Sequence, residues 1–290
     1  MWISLIATLG RPEWWAMALA GFLVRGGIVL VVLPLVSLPT VAQLSTILAP
    51  TIETVVLGGQ TLAGALIGGL ALAAGLLLLG ACGLAGAWFD VVLAREAAED
   101  EDLELPSRPS SITAATAFRL RLLAHVPTMI ALAYATYRVV TVAYAELLSP
   151  GDPTVSVVTR VFDRAPDAVV VVVVAWLAGE TVGALAARRA ATGEGTGGAL
   201  LRSVRQLLRP RGIATLAVTS VALIAIGAPF LLALGRTWEH LRTYVLGQVD
   251  IVPLAAALVL LVGTGILGLS VLGAGLAWRA NAWTVEAAAD

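Results

Sequence analysis

The run DAVVVVVVAWLAGETVGALAARRA (residues 167–190) decides the fold of this chain. A helix needs about 20 mostly apolar residues to cross the roughly 30 Å hydrocarbon layer of a bilayer. This run supplies them, interrupted within its apolar body only by Glu180, and stops at Arg188 and Arg189. Five more stretches have the same character: residues 14–37, 62–93, 122–147, 213–234 and 252–278. The chain as a whole agrees. It is 59% hydrophobic and 13% charged with a mean hydropathy of +0.93, whereas soluble domains carry about 25% charged residues. The expected fold class is all-α, a polytopic integral membrane helical bundle with six transmembrane helices in a single domain, residues 1–290. The second and sixth spans exceed the minimum length, so they are expected to tilt or to continue past the bilayer.

Arginine gives the chain a direction. Arg11, Arg95, Arg108, Arg119, Arg121, Arg188, Arg189, Arg202, Arg205, Arg209, Arg211 and Arg279 fall on the side of both termini, while Arg160, Arg164, Arg236 and Arg242 fall opposite. Basic residues accumulate in cytoplasmic loops, so both termini are expected to be cytoplasmic and the chain to lie in the cell membrane. Trp14, Trp15, Trp88, Trp278 and Trp283 sit at the same boundary, as an interfacial aromatic belt would. Pro12 suits the first turn of a helix, where no amide donor is lost. Residues 1–10 have no cleavable-signal pattern and read as an interfacial stretch.

The spans divide into three out-and-back hairpins, about 11–99, 111–191 and 199–290. Their outer loops hold amphipathic stretches at 40–54, 154–163 and 236–248, and their returning helices end alike, passing from small residues to arginine. Two accounts of that likeness stand: internal duplication, common in transport folds, or independent use of glycine for packing and arginine for orientation. An acidic inner linker, residues 95–110, reads as a solvated connection, with a docking segment for a basic partner as its alternative. The GEGTGG run (residues 193–198) follows a membrane helix and not a strand, so it is no nucleotide fingerprint. Beyond it, Leu200, Leu201, Val204, Leu207 and Leu208 interleave with Arg202, Arg205, Arg209 and Arg211 at helical spacing. That is a basic amphipathic segment suited to the inner lipid surface, or to a cytoplasmic partner.

Charges inside spans are expensive and mark function by default. Arg25 lies about 16 Å into the first span and Glu180 about 12 Å from Arg188, at 1.5 Å per residue. Their depths nearly coincide, so a buried Arg25–Glu180 ion pair is expected. Gly179 and Gly183 form a GxxxG pair that would let a neighbouring helix approach that carboxylate. Asp90 is close enough to Arg95 to read as an interfacial charge. Arg138 sits among Tyr134, Tyr137 and Tyr144. Its side chain either snorkels to the outer headgroups or contacts a substrate or anionic lipid.

Several chemistries are excluded. All 18 basic residues are arginine, so no lysine Schiff base can form. Cys82 is alone, which rules out an internal disulfide and a thiolate cluster. His125 and His240 lack partners at metal-ligand spacing, so no metal and no cofactor are expected. A net charge of −1 gives no case for nucleic acid. No HExxH, GxSxG or Walker A pattern occurs.

The hairpin layout and the segment ALLRSVRQLLRPRGIATL (residues 199–216), a basic amphipathic helix running into a span, resemble a group of bacterial and archaeal six-helix membrane proteins. These are related to the membrane region of some glycerophosphodiester phosphodiesterases. The resemblance implies an accessory or membrane-organising role. The soluble phosphodiesterase domain has no counterpart in these residues, so no catalytic residue carries over. Two functions stay open: a non-catalytic membrane component contacting lipids, or membrane or cytoplasmic proteins, and a transporter subunit using Arg25 and Glu180.

Overall fold

The computed structural model describes residues 2–36, 62–100, 114–149, 155–191, 194–247 and 251–288. The outer stretch 40–54, most of the acidic linker including Arg108, and Gly193 lie outside them. Among the described residues every regular element is helical. In chain order they are α1 (Trp2–Leu9), α2 (Pro12–Phe22), a π-type turn (Leu23–Gly27), α3 (Ile28–Val32), a 3-10 turn (Leu33–Leu35) and α4 (Leu62–Asp100). There follow α5 (Ala114–Ala124), α6 (Val126–Leu148), α7 (Val157–Arg164), α8 (Pro166–Ala191), α9 (Thr196–Leu207), α10 (Pro210–Leu246) and α11 (Ile251–Ala288).

Six helical segments are long and apolar enough to cross a membrane: Pro12–Leu35, Gly68–Asp100, Val126–Glu146, Pro166–Ala190, Pro210–Leu246 and Ile251–Ala288. Their surfaces fit that solvent. On α4, Leu70, Leu77 and Leu79 are exposed by 70%, 75% and 70%, a surface that would drive aggregation in water and suits acyl chains.

Local sequence explains where the helices start and break. Prolines occupy the first turns of α2, α6 and α10, where the missing amide costs no hydrogen bond. Pro127 also separates α5 from α6 at His125, because it has no N–H to donate four residues back to Leu123 and its ring crowds that carbonyl. The first span is not one continuous helix. At Gly26 the backbone turns to φ 105°, a conformation that costs little only for glycine, and the helix resumes at Ile28. By contrast α10 runs unbroken through residues 236–246, where a separate amphipathic loop stretch was expected. No glycine or proline lies between Arg236 and Leu246 to stop it.

The contacts resolve two compact units. The first comprises the described residues within Met1–Val36, Cys82–Ala124 and Glu180–Asp290. In it α11 packs along α10 and against α1 and α2. Its core is rich in alanine, with Ala87, Val91, Ala117, Leu120, Ala186 and Ala187 forming one cluster, as expected where backbones approach closely in lipid. Trp14 and Trp283 are buried in this unit at 0% and 1% exposure. Trp14 donates its Nε1 proton to Glu96 Oε2 at 2.8 Å. The belt expected from sequence therefore loses these two indoles to the protein interior, while Trp88 stays exposed.

The second unit comprises the described residues within Ser37–Ala81 and His125–Gly179. There α7 packs on α6, and Val161 of α7 and Val142 of α6 share a cluster with Ala165 and with Ala168 of α8. Glu146 is fully buried, accepts from Arg160 Nε at 2.9 Å and is ion-paired with Arg164 Nη1 at 2.5 Å. Two guanidiniums on one carboxylate offset the cost of desolvating it.

Candidate functional site

Four charges of the first unit converge on a ring. Arg25, carried by the π-type turn, donates to Asp90 of α4. Asp90 also pairs with Arg121 of α5 at 2.6 Å, and Arg121 pairs with Glu180 of α8 at 2.9 Å. Arg25 Nη2 and Glu180 Oε1, 3.9 Å apart, close the ring. Arg25 and Glu180 thus meet only at the outer limit of an ion pair. Each has a nearer partner.

Each helix delivers its charge for a local reason. The break at Gly26 turns the chain just after Arg25. On α4, Gly86 lies one turn before Asp90, and a Cβ there would collide with the Arg25 stem. On α8, Gly183 lies against Arg121, whose Cγ would stand 3.2 Å from an added Cβ. Half of the GxxxG pair thus does admit a neighbour to Glu180, and that neighbour is α5. Arg121 belongs to a short helix that Pro127 ends early, with Ala117 and Ala124 on its buried face.

The electrostatics are those of a closed salt-bridge ring. The Arg121 side chain is 7% exposed, Asp90 11%, Glu180 21% and Arg25 23%. Burial would lower the Arg121 pKa, yet the charges of Asp90 and Glu180 outweigh it and hold the guanidinium above its ordinary value. Arg121 is a permanent cation. Two positive and two negative charges cancel, which is how ionic groups persist in a low-dielectric layer. From Asp90 to the end of α4 is ten residues, or about 15 Å of helix.

Two more arginines flank the ring. Arg188 is 4% exposed and donates Nη1 to Ala184 O at 2.9 Å and Nε to Thr284 Oγ1 at 3.0 Å, both neutral acceptors. Arg279 on α11 is half-buried, and its Nη2 atom is buried without an acceptor among the described residues. Both lie within Coulombic reach of Arg25, Arg121 and Glu180.

The other candidates are placed elsewhere. Arg138 reaches Asp167 of α8, Nε to Oδ2 at 3.1 Å, and Tyr134 donates its hydroxyl to the same oxygen at 2.6 Å. Arg138 thus has a carboxylate partner in the first turn of α8, while Tyr137 and Tyr144 are 68% and 64% exposed. Of the basic amphipathic set, Arg202 pairs with Glu194 at 3.1 Å and Arg211 with Glu286 at 3.0 Å. Arg205 and Arg209 are exposed beside Leu201, Val204 and Leu208. The opposite face of α9 buries Ala199, Ser203 and Gln206. Gln206 accepts from Arg189 Nη2 at 2.6 Å and donates to Glu286 O at 2.8 Å.

Sequence reasoning missed Asp90 and Arg121 as members of the site. The small residues one turn away, Gly86 for Asp90 and Ala117 and Ala124 for Arg121, are the signal that could have found them. Among the described residues no three His, Cys, Asp or Glu side chains gather as a metal would require. Comparison of the chain with protein-family models, curated proteins and solved structures finds no match.

Proposed function

We propose that this chain is a non-catalytic integral membrane component that organises lipids or partner proteins at the inner leaflet of the cell membrane. In this reading its spans form three hairpins with both termini in the cytoplasm. The observation that carries it is α9, whose one face is bolted to the bundle by Gln206 while the other presents Leu201 and Val204 beside Arg205, continued past its end by Leu208 and Arg209. Such a face partitions into the headgroup boundary and favours anionic lipid. The Arg25–Asp90–Arg121–Glu180 ring supports the same reading as a fastener, because its two cations and two carboxylates satisfy one another across four helical segments.

Hydrogen exchange of α9 in nanodiscs tests the proposal. Amides of residues 196–207 are expected to exchange more slowly in phosphatidylglycerol discs than in phosphatidylcholine discs, and the difference to vanish in Arg205→Gln/Arg209→Gln. Equal exchange in both discs for the unsubstituted protein would sink it. A transporter subunit is the second reading, favoured by the interruption of the first span at Gly26 beside Arg25, since broken helices build transporter sites. In a Cys82→Ala background, labelling of Ala87→Cys by a water-soluble thiol reagent would favour transport over the fastener.

A further inference from the structure

The ring is neutral, but the charges around it are not. Adding Arg188 and Arg279 to Arg25, Arg121, Asp90 and Glu180 gives four guanidiniums against two carboxylates among the described residues. Neither added arginine has a carboxylate within ion-pair distance among those residues. Arg188 spends two donors on neutral oxygens, and Arg279 Nη2 has no acceptor among the described residues.

A second donor on α11 is in the same condition. Trp283 is 1% exposed and its Nε1 is buried without an acceptor among the described residues. Residues four apart share a helix face, so the indole lies one turn beyond Arg279. Trp283 packs with Leu185 of α8, and Arg188 follows Leu185 by one turn and meets Thr284. Three hydrogen-bond donors, two of them cationic, therefore gather along the seam of α8 and α11. All three lie near the span ends that carry the Arg211–Glu286 pair. Unmatched positive charge at headgroup depth between transmembrane helices is the setting in which anionic headgroups bind. Guanidinium forks match phosphate oxygens in pairs.

We infer that the α8–α11 seam binds a phosphate group, received by Arg279 with Arg188 and Trp283 behind it. The phosphate comes either from a lipid headgroup or from free anion. This site is separate from the lipid-facing surface of α9, and the inference stands whether or not that surface binds lipid.

Native mass spectrometry of the full chain in mild detergent tests it, titrating phosphatidylglycerol, phosphatidylcholine and inorganic phosphate in parallel. Phosphatidylglycerol is expected to be retained about tenfold or more over phosphatidylcholine, the scale of charge-assisted hydrogen bonds. Arg279→Gln is expected to cut that preference severalfold, while Arg242→Gln keeps it. The lipid preference identifies a headgroup. An Arg279-dependent rise in thermal midpoint with inorganic phosphate, without lipid preference, identifies free anion and equally supports the site. No preference and no phosphate effect in the unsubstituted protein overturns the inference, as does a folded Arg279→Gln that binds like it. Should Arg279→Gln not fold, Arg279→Lys keeps the charge without the fork and is expected to bind with reduced preference. Undiminished preference there overturns the inference too.

Discussion

Replacing Arg121 by glutamine is the sharpest test of the salt-bridge ring. Arg121 is its most buried cation and pairs closely with both carboxylates. Without it, Arg25 is the cation left within ion-pair distance of both Asp90 and Glu180 among the described residues, and it lies 3.9 Å from Glu180. Leaving a buried charge without its partner costs about 3–5 kcal/mol. With about 2.1 cal/mol/K of unfolding entropy per residue, that is a fall of roughly 5–8 °C in thermal midpoint for a chain of 290 residues. Arg25→Gln should cost less, because Arg25 is more exposed and has one close partner. Adding Asp90→Asn to Arg121→Gln restores charge balance between Arg25 and Glu180. The double variant should therefore be more stable than the sum of the single effects by about 1–3 kcal/mol. Tryptophan fluorescence during heating in detergent is a suitable assay, since Trp14 and Trp283 are buried and report opening of this unit. A midpoint for Arg121→Gln within about 1 °C of the unsubstituted protein, or strict additivity, would refute the reasoning.

Other expectations are simpler. Glu146→Gln should loosen the junction of α6 and α7, raising amide exchange across residues 157–164 about tenfold or more, as loss of charged hydrogen bonds implies; unchanged exchange would contradict the lock described above. Gly26→Ala should lower stability by about 1–2 kcal/mol, because its φ is positive, whereas Gly75→Ala, with open space around it, should be neutral in the same thermal assay. Gly86→Leu should prevent α4 from seating against Arg25, seen as loss of the monodisperse species on size exclusion. For topology, Glu13→Cys and Glu239→Cys in a Cys82→Ala background should react with an impermeant thiol reagent from opposite faces of oriented vesicles. Labelling from one face would end the proposed orientation.

The spans were legible because an apolar run of bilayer length has few alternative uses. Arg25 and Glu180 stood out for the same reason: a charge amid valine, leucine and alanine has no local explanation. Asp90 and Arg121 were harder. Each lies near a span end, where a charge is cheap, and each has charged sequence neighbours, Arg95 and Arg119, that invite a local account. Their true partners lie across helices, and only packing brings those together. Arg236–Leu246 failed for another reason. Charged residues there mark where the hydrocarbon stops, but nothing in them stops a helix, and α10 continues. Trp14 and Trp283 show a similar limit. Their placement along the chain fits an interfacial belt, while their orientation toward the protein depends on which face of the helix is covered.

The length of α10 has a practical side. Its 37 residues extend about 55 Å at 1.5 Å per residue, well beyond a roughly 30 Å hydrocarbon core. With the hydrocarbon layer on the apolar stretch 213–234, residues 236–246 would extend as a rod of about 16 Å beyond a detergent belt. In electron micrographs a small helical membrane protein offers little to align on. A soluble helical domain spliced in phase onto α10 before Gly247 would turn this rod into a rigid fiducial, with its orientation fixed by an uninterrupted backbone.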